Sequence, residues 1–228
     1  MTALTPRQAY QLWAPIYRGD NAVCALENQL VSTMTPRPQG RRLLDVGCGT
    51  GLRFRNCGAE TAFGVDASIE MLSAGGLDSV AAADVRALPF PSNEFDLVWC
   101  RLMLSYLPDL KPAYAELARV CRRGGDVVVS DFHADAIRAG HRQSFRDAAG
   151  TLHEIMHYAH DAQAHEEAAA ASGLLMKSAH SGTVGASIKD IYERANHLDM
   201  YVRDQGLAIV ALFHFEKAYE RVNDRSVR

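Results

Sequence analysis

The chain has 228 residues, 48% hydrophobic and 22% charged, a composition suited to one domain with a sizeable core. Its formal charge of −3 sets up no field that would gather phosphate backbones or anionic lipid, so neither nucleic acid nor membrane is an expected partner. The cysteines Cys24, Cys48, Cys57, Cys100 and Cys121 form no Cys-x-x-Cys pair. With no apolar leader in MTALTPRQAYQLW and no apolar run long enough to span a bilayer, the expectation is a soluble protein of a reducing cytoplasm.

Residues 1–38 contain YQLWAPIY and the helical-looking NAVCALENQLVSTM, with Pro36 and Pro38 marking a junction. Aromatic Tyr10, Trp13 and Tyr17 give this segment the character of a helical lid; a helix that only packs is the alternative. Residues 39–228 read as the core domain. Short apolar runs recur there as RRLLDV, TAFGV, SVAAAD, FDLVWC and DVVVSDF, and LAIVALFHFEK closes the chain. Runs of this length without alternation suit parallel strands buried on both faces, and the segments between them carry helix signals. Ser68 caps a helix through Met71, and Lys111 to Cys121 has helical apolar spacing before Gly124-Gly125. Asp161 caps AQAHEEAAAAS with Gly173 as its stop, and Ser187-x-x-Asp190 reads as a capping box.

The chemistry concentrates first in LLDVGCGTGL. Gly47, Gly49 and Gly51 follow a buried strand and precede an expected short helix, so backbone can turn sharply and approach a ligand. The spacing is G-x-G-x-G, with Leu52 where a dinucleotide loop has Gly or Ala, which counts against pyrophosphate. Asp66 in AFGVDAS ends the next strand, where a carboxylate can accept from both hydroxyls of a ribose. Asp84 in AAADVRALPF ends the third and can accept from an adenine amino group.

Together LLDVGCGTG, GVDAS, ADVRALPFPSNEFDLV and RRGGDVVVSD resemble the class I S-adenosylmethionine (SAM)-dependent methyltransferases, in particular the small-molecule group that includes quinone- and biotin-pathway enzymes. The resemblance implies an α/β, Rossmann-like doubly wound sheet, seven-stranded and mainly parallel, with an antiparallel strand near the C-terminus. It implies SAM as cofactor, S-adenosylhomocysteine (SAH) as product and a small-molecule acceptor. By residue, it places Asp45, Gly47, Gly49 and Gly51 around the methionine part and Asp66 on the ribose, with Ala67 and Met71 beside it. Asp84 and the backbone at Val85 fall to the adenine, the segment after Trp99, with Arg101 and Tyr106, lines the cofactor, and Tyr17 closes over it. The turn usually written Lys-Pro-Gly-Gly is here Arg122-Arg123-Gly124-Gly125. Residues 133–173 fall where such folds roof the substrate.

That roof contains TLHEIMHYAH, whose His-Glu-x-x-His spacing would put two zinc ligands on one helical face. The metalloprotease continuation is missing, because position 163 is Gln, and Thr151-x-x-Glu154 is itself a capping box. No metal site is assigned, a metal held by several of these histidines is an alternative, and a zinc protease with Glu166 or Glu167 as third ligand stays a remote one. If helical, His153, His157 and His160 share a face. His133, His153 and His157 are the candidate general bases, with Asp131 and His133 projecting together from the end of the fifth strand. Arg101 and Ser105 would share a helical face after strand four. No tyrosine has lysine four positions later and no Asn-Pro-Pro-Tyr occurs, which excludes short-chain dehydrogenases and the base-modifying methyltransferases. A protein that binds SAM or SAH without turnover is the rival from another class.

Overall fold

A computed structural model describes residues 3–19 and 21–219. Helix α1 (Pro6–Trp13) opens with a complete capping box, in which Thr5 and Gln8 satisfy each other's backbone amides. After a short 3₁₀ turn comes α2 (Ala22–Met34), capped by the Asn21 side chain accepting from the Cys24 amide. Then follow β1 (Arg42–Val46), β2 (Thr61–Asp66), α3 (Ile69–Gly75), β3 (Val80–Ala82), β4 (Phe95–Arg101), α4 (Lys111–Val120) and β5 (Cys121–Phe132). The segment after β5 carries α5 (Ala134–Arg138), β6 (Ser144–Arg146), β7 (Leu152–Glu154) and α6 (Ala162–Ala171). The chain continues through β8 (Leu174–Thr183), α7 (Lys189–Arg194), α8 (Leu198–Asp204) and β9 (Ala208–Lys217).

Seven strands form one sheet in the order β3-β2-β1-β4-β5-β9-β8. The pairs among β1 to β5 are parallel, and β9 runs antiparallel between β5 and β8. The central strands are buried on both faces. Leu44, Val46, Val98, Val127 and Val129 pack to one side, while Leu43, Leu97, Trp99, Val128 and Leu212 pack to the other. Strand order reverses at β1, where β2 and β4 lie on either side, and the crevice beyond the carboxyl ends of strands at such a reversal is where ligands sit in open α/β sheets. The glycine loop leaves β1 at that point.

Helix α2 packs against the sheet: Leu26 clusters with Ile209 and Val210, and a Cβ on Gly182 would meet Leu26 and Leu30 at 2.8 Å. The crevice is bordered by α1, by the turn after it and, through Ala22, Val23, Cys24 and Asn28, by α2 as well.

Several local expectations are overturned. The stretch after the glycine loop is a series of turns, not a short helix. Asp190 does not cap α7, which begins from Ile188 with no side-chain cap. The His-Glu-x-x-His stretch is not helical: β6 and β7 make an antiparallel hairpin in which Phe145 faces His153, and the chain runs on without regular structure to α6. The turn chemistry is responsible, because Asp147 Oδ1 accepts from the amides of Ala149 and Thr151, and Gly150 takes φ +82°. Strand β8 was not among the apolar runs. Among the described residues, no helix is long and apolar enough to cross a membrane.

Candidate active site

Leaving β1, Gly47 and Gly49 adopt φ +74° and +57°, a left-handed conformation that costs a side-chain-bearing residue about 1–2 kcal/mol. The amides of Gly47 and Cys48 donate to the Val65 carbonyl, and the Gly49 amide donates to Asp66 Oδ2 at 2.8 Å. The loop is thus pinned to the end of β2 by the carboxylate expected to hold a sugar. Asp66 Oδ1 accepts from the Ser68 amide at 2.8 Å. Burial raises the Asp66 pKa while these backbone donors pull it back, and each oxygen keeps a lone pair for a hydroxyl donor.

The loop borders a cavity of ≈ 1680 Å³. A single small-molecule site occupies roughly 300–1,000 Å³, so two reactants fit side by side. Tyr17, Gly47, Gly49, Asp66, Ala67 and Met71 line it, as do Asp84, Val85, Arg101 and Tyr106. Two residues of the expected set are elsewhere. Gly51 packs the loop against the protein, since a Cβ there would lie 2.3 Å from Leu77 Cδ1. Asp45 is fully buried in β1, and neither of its oxygens has a hydrogen-bond partner.

Burial pushes the Asp45 pKa up to about 6, opposed by Arg101 and Arg53. These guanidiniums belong to an ionic cluster under the cavity floor. Arg101 donates from Nε and Nη2 to Glu27 at 2.7 and 2.6 Å, donates to Asn28 Oδ1, and lies over the Trp99 ring. Ser130 Oγ donates to Glu27 at 2.6 Å. Burial alone would raise the Glu27 pKa, but Arg101, Arg53 and Ser130 outweigh it and hold the carboxyl below its usual range. Arg101 therefore does not sit on a helix beside Ser105: it ends β4, is only 3% exposed, and is committed to Glu27. Arg53, which the sequence reading missed, donates to the Arg101 carbonyl and lines the cavity. Its only sequence signal is a charge just beyond the glycine loop.

Asp84 is held by Arg86, which donates to both carboxylate oxygens at 2.9 and 2.6 Å; this half-exposed pair forms part of the cavity edge. The N-terminal aromatics cover another side. Tyr10 and Tyr106 share a 2.8 Å hydrogen bond, and Trp13 packs edge-on to Tyr17 and flat on Phe145. Burial raises the Tyr17 pKa to about 12, so it is a neutral hydroxyl.

None of the three expected general bases is in the cavity wall. His153 bonds through Nε2 to Asp147, and His157 bonds through Nδ1 to the Ile155 carbonyl. His133 caps α5 by accepting from the Asp135 amide and meets Ser181 on its other side. Asp131 is 1% exposed and accepts from the Ser105 and Phe132 amides. His160 is bound to the Leu107 carbonyl, and among the described residues no cluster of His, Cys, Asp or Glu is arranged to hold a metal ion. The segment 133–173 does contribute Gln143 and His141 to the wall.

Residues 44–129 match the model of a methyltransferase domain. The chain is 34% identical over 137 residues to the malonyl-[acyl-carrier protein] O-methyltransferase of Erwinia billingiae, covering 57% of this chain and 54% of that protein. It is 37% identical over 101 residues to the demethylmenaquinone methyltransferase of Renibacterium salmoninarum, covering 41% and 42%. The chain spans about half the length of the curated relatives it matches. The fold is similar to that of an S-adenosylmethionine-dependent methyltransferase from Mesorhizobium loti, with TM-score 0.65, 21% identity, and 84% and 97% of the two chains covered.

Proposed function

We propose that the chain carries a class I SAM-dependent methyltransferase domain, a reading supported by the methyltransferase-domain match over residues 44–129 and by the fold, and that it transfers a methyl group from SAM to an oxygen, nitrogen or carbon atom of a small molecule. One observation carries this reading: the glycine turn, its Asp66 anchor and an acceptor-sized extra volume share a single cavity. The residues present fit the cofactor. A Cβ on Gly49 would reach within 3.0 Å of Met71 Cε and one on Gly47 within 2.7 Å of Met103 Cγ, so side chains here would fill the cradle. Asp66 has acceptor capacity left for a ribose diol.

When bound, SAM supplies an electrophilic methyl carbon on a positively charged sulfur. The chain's own part is to bind, align and keep water out. We assign Asp66 to the ribose and Ala67 and Met71 to its flank. Asp84 and Val85 belong at the adenine edge, and the Gly47 to Gly49 backbone at the amino-acid tail. Arg101 acts beneath the site by fixing α2 to the end of β4, and Asp45 lies behind the glycine turn. Tyr17 and Tyr106 close the aromatic side and exclude water. Holding acceptor and donor in line supplies on the order of 7–11 kcal/mol in favourable cases, so few side chains need take part in bond making. The domain boundary near residue 38 and the roofing role of 133–173 belong to the same proposal.

The test is turnover. The full chain, incubated with SAM labelled in its methyl group and a library of hydroxyl, amine and carbon-acid acceptors, should release SAH together with labelled product. SAM uptake with no product from any acceptor would instead favour a binding protein without chemistry.

A further inference from the structure

Two polar side chains of the cavity wall have no place in cofactor binding. His141 lies between α5 and β6, and Asp204 is the last residue of α8; both line the cavity. His141 Nε2 is buried 3.1 Å from Asp204 Oδ1, close enough to bond although not in line. Hydrogen bonds of this kind often tighten only once a substrate is present. Its other ring nitrogen, Nδ1, has no hydrogen-bond partner among the described residues, and the imidazole is 27% exposed in a residue of the wall. Asp204 is 3% exposed and accepts from Arg203 Nε and Nη2 at 2.7 and 2.8 Å. Burial pushes the Asp204 pKa up, but Arg203 and His141 together hold it below the usual range, so the carboxyl is ionised.

We propose that His141 is the general base of the reaction, with Asp204 as its positioning residue, and that the acceptor is a weak acid such as a phenol or enol. The inference rests on the methyltransferase reading and deepens it. A carboxylate paired with one imidazole nitrogen fixes the proton there and leaves the other nitrogen as a base, with the imidazolium stabilised once it forms. Nδ1 of His141 takes the acceptor's O–H proton. The oxygen's freed pair makes the new O–C bond while the C–S bond breaks, its electrons passing to sulfur to give the neutral thioether. The imidazolium then returns its proton to solvent. A carboxylic acid acceptor, ionised already at neutral pH, would need no such group. Other charged or titratable groups face the pair: Arg203 and, beyond it, Asp199 on α8, Tyr192 on α7, and Arg142, which donates to the His141 carbonyl.

The experiment uses the full chain, SAM labelled in its methyl group, and substituted phenols graded in acidity beside a set of carboxylic acids. The wild type should methylate phenols. His141→Gln should lower kcat by roughly 10²–10⁴-fold on the least acidic phenols, with the loss shrinking as the phenol ionises unaided. Its SAH affinity, read by calorimetry, should stay within about twofold of wild type. Asp204→Asn should lose less, and Asp204→Glu should recover part of that loss. Equal rates for wild type and His141→Gln, a loss independent of phenol acidity, or transfer confined to carboxylic acids would overturn the assignment. Should the variants misfold, or no phenol turn over while SAH still binds, the His141 tautomer in the SAH-bound wild type decides by ¹⁵N–¹H correlation. Hydrogen on Nε2 supports the proposal, and hydrogen on Nδ1 refutes it. No SAH uptake by folded wild type defeats the methyltransferase reading itself, and this inference with it.

Discussion

Replacing Arg101 with methionine strips the guanidinium from a carboxylate that has almost nothing else. Glu27 is fully buried, and without Arg101 it keeps the Ser130 hydroxyl at 2.6 Å and Arg53 at 3.9 Å. Breaking a buried pair from one side costs about 3–5 kcal/mol, because the remaining charge stays out of water uncompensated. For a chain of this size each kcal/mol moves Tm by roughly 2–4 °C, so Arg101→Met should melt roughly 6–20 °C lower. Removing both charges at once, Glu27→Leu with Arg101→Met, trades the pair for apolar packing and should cost much less than the two single losses together. The remainder covers the Asn28 hydrogen bond and the Trp99 ring contact, at about 1 kcal/mol each. Urea unfolding of the four proteins, with two probes to establish a single transition, gives the coupling energy directly. A loss under about 1 kcal/mol in Arg101→Met, or strict additivity in the double variant, would refute this account of the cavity floor.

Asp66→Ala removes the anchor of the Gly49 amide and the proposed ribose acceptor together, and should weaken SAH binding by more than about 1.5 kcal/mol, or about tenfold, in a calorimetric titration. Asp45 should make wild type and Asp45→Asn differ with pH. Its folded pKa of about 6 stands above the usual 3.8, so the folded state holds the extra proton between those values. The stabilisation is full below about 3.8 and is lost as pH rises through 6. Relative to wild type, Asp45→Asn should therefore gain roughly 2–2.5 kcal/mol between pH 4 and pH 7 in urea unfolding, and a pH-independent difference would contradict the burial argument. Gly51→Ala, at φ +71° and facing Leu77 Cδ1 at 2.3 Å, should cost at least about 2 kcal/mol. Gly76→Ala, at φ +61° in open space, should cost only about 1 kcal/mol, so equal losses in thermal melts would undo the packing role given to Gly51.

What the sequence reveals follows from how local each constraint is. Gly47 and Gly49 answer to a backbone turn, and Asp66 to the end of a buried strand, so residue type and spacing alone point to the ligand cradle. The central strands show as apolar runs because both faces are covered. Strand β8 lies at the sheet edge with Leu175, Lys177 and Ser181 more exposed than their neighbours, and its mixed composition hides it. The His-Glu-x-x-His spacing misleads because five residues can meet a helical template while Asp147 and Gly150 just upstream set a hairpin. Pairings across the chain, Glu27 with Arg101 or His141 with Asp204, leave no local trace at all. They arise only when the sheet brings α2 to β4 and residues 133–173 to α8, which is why spacing points to His133, His153 and His157 while the histidine of that segment in the cavity wall is His141.

The central claim is that the crevice at the reversal of strand order holds the cofactor, and a structure of the full chain with SAH tests it most directly. Both ribose hydroxyls should lie within hydrogen-bond reach of the Asp66 carboxylate, with the amino-acid tail along the Gly47 to Gly49 backbone. Density for the nucleoside at another place, or an empty crevice at saturating SAH, would contradict it.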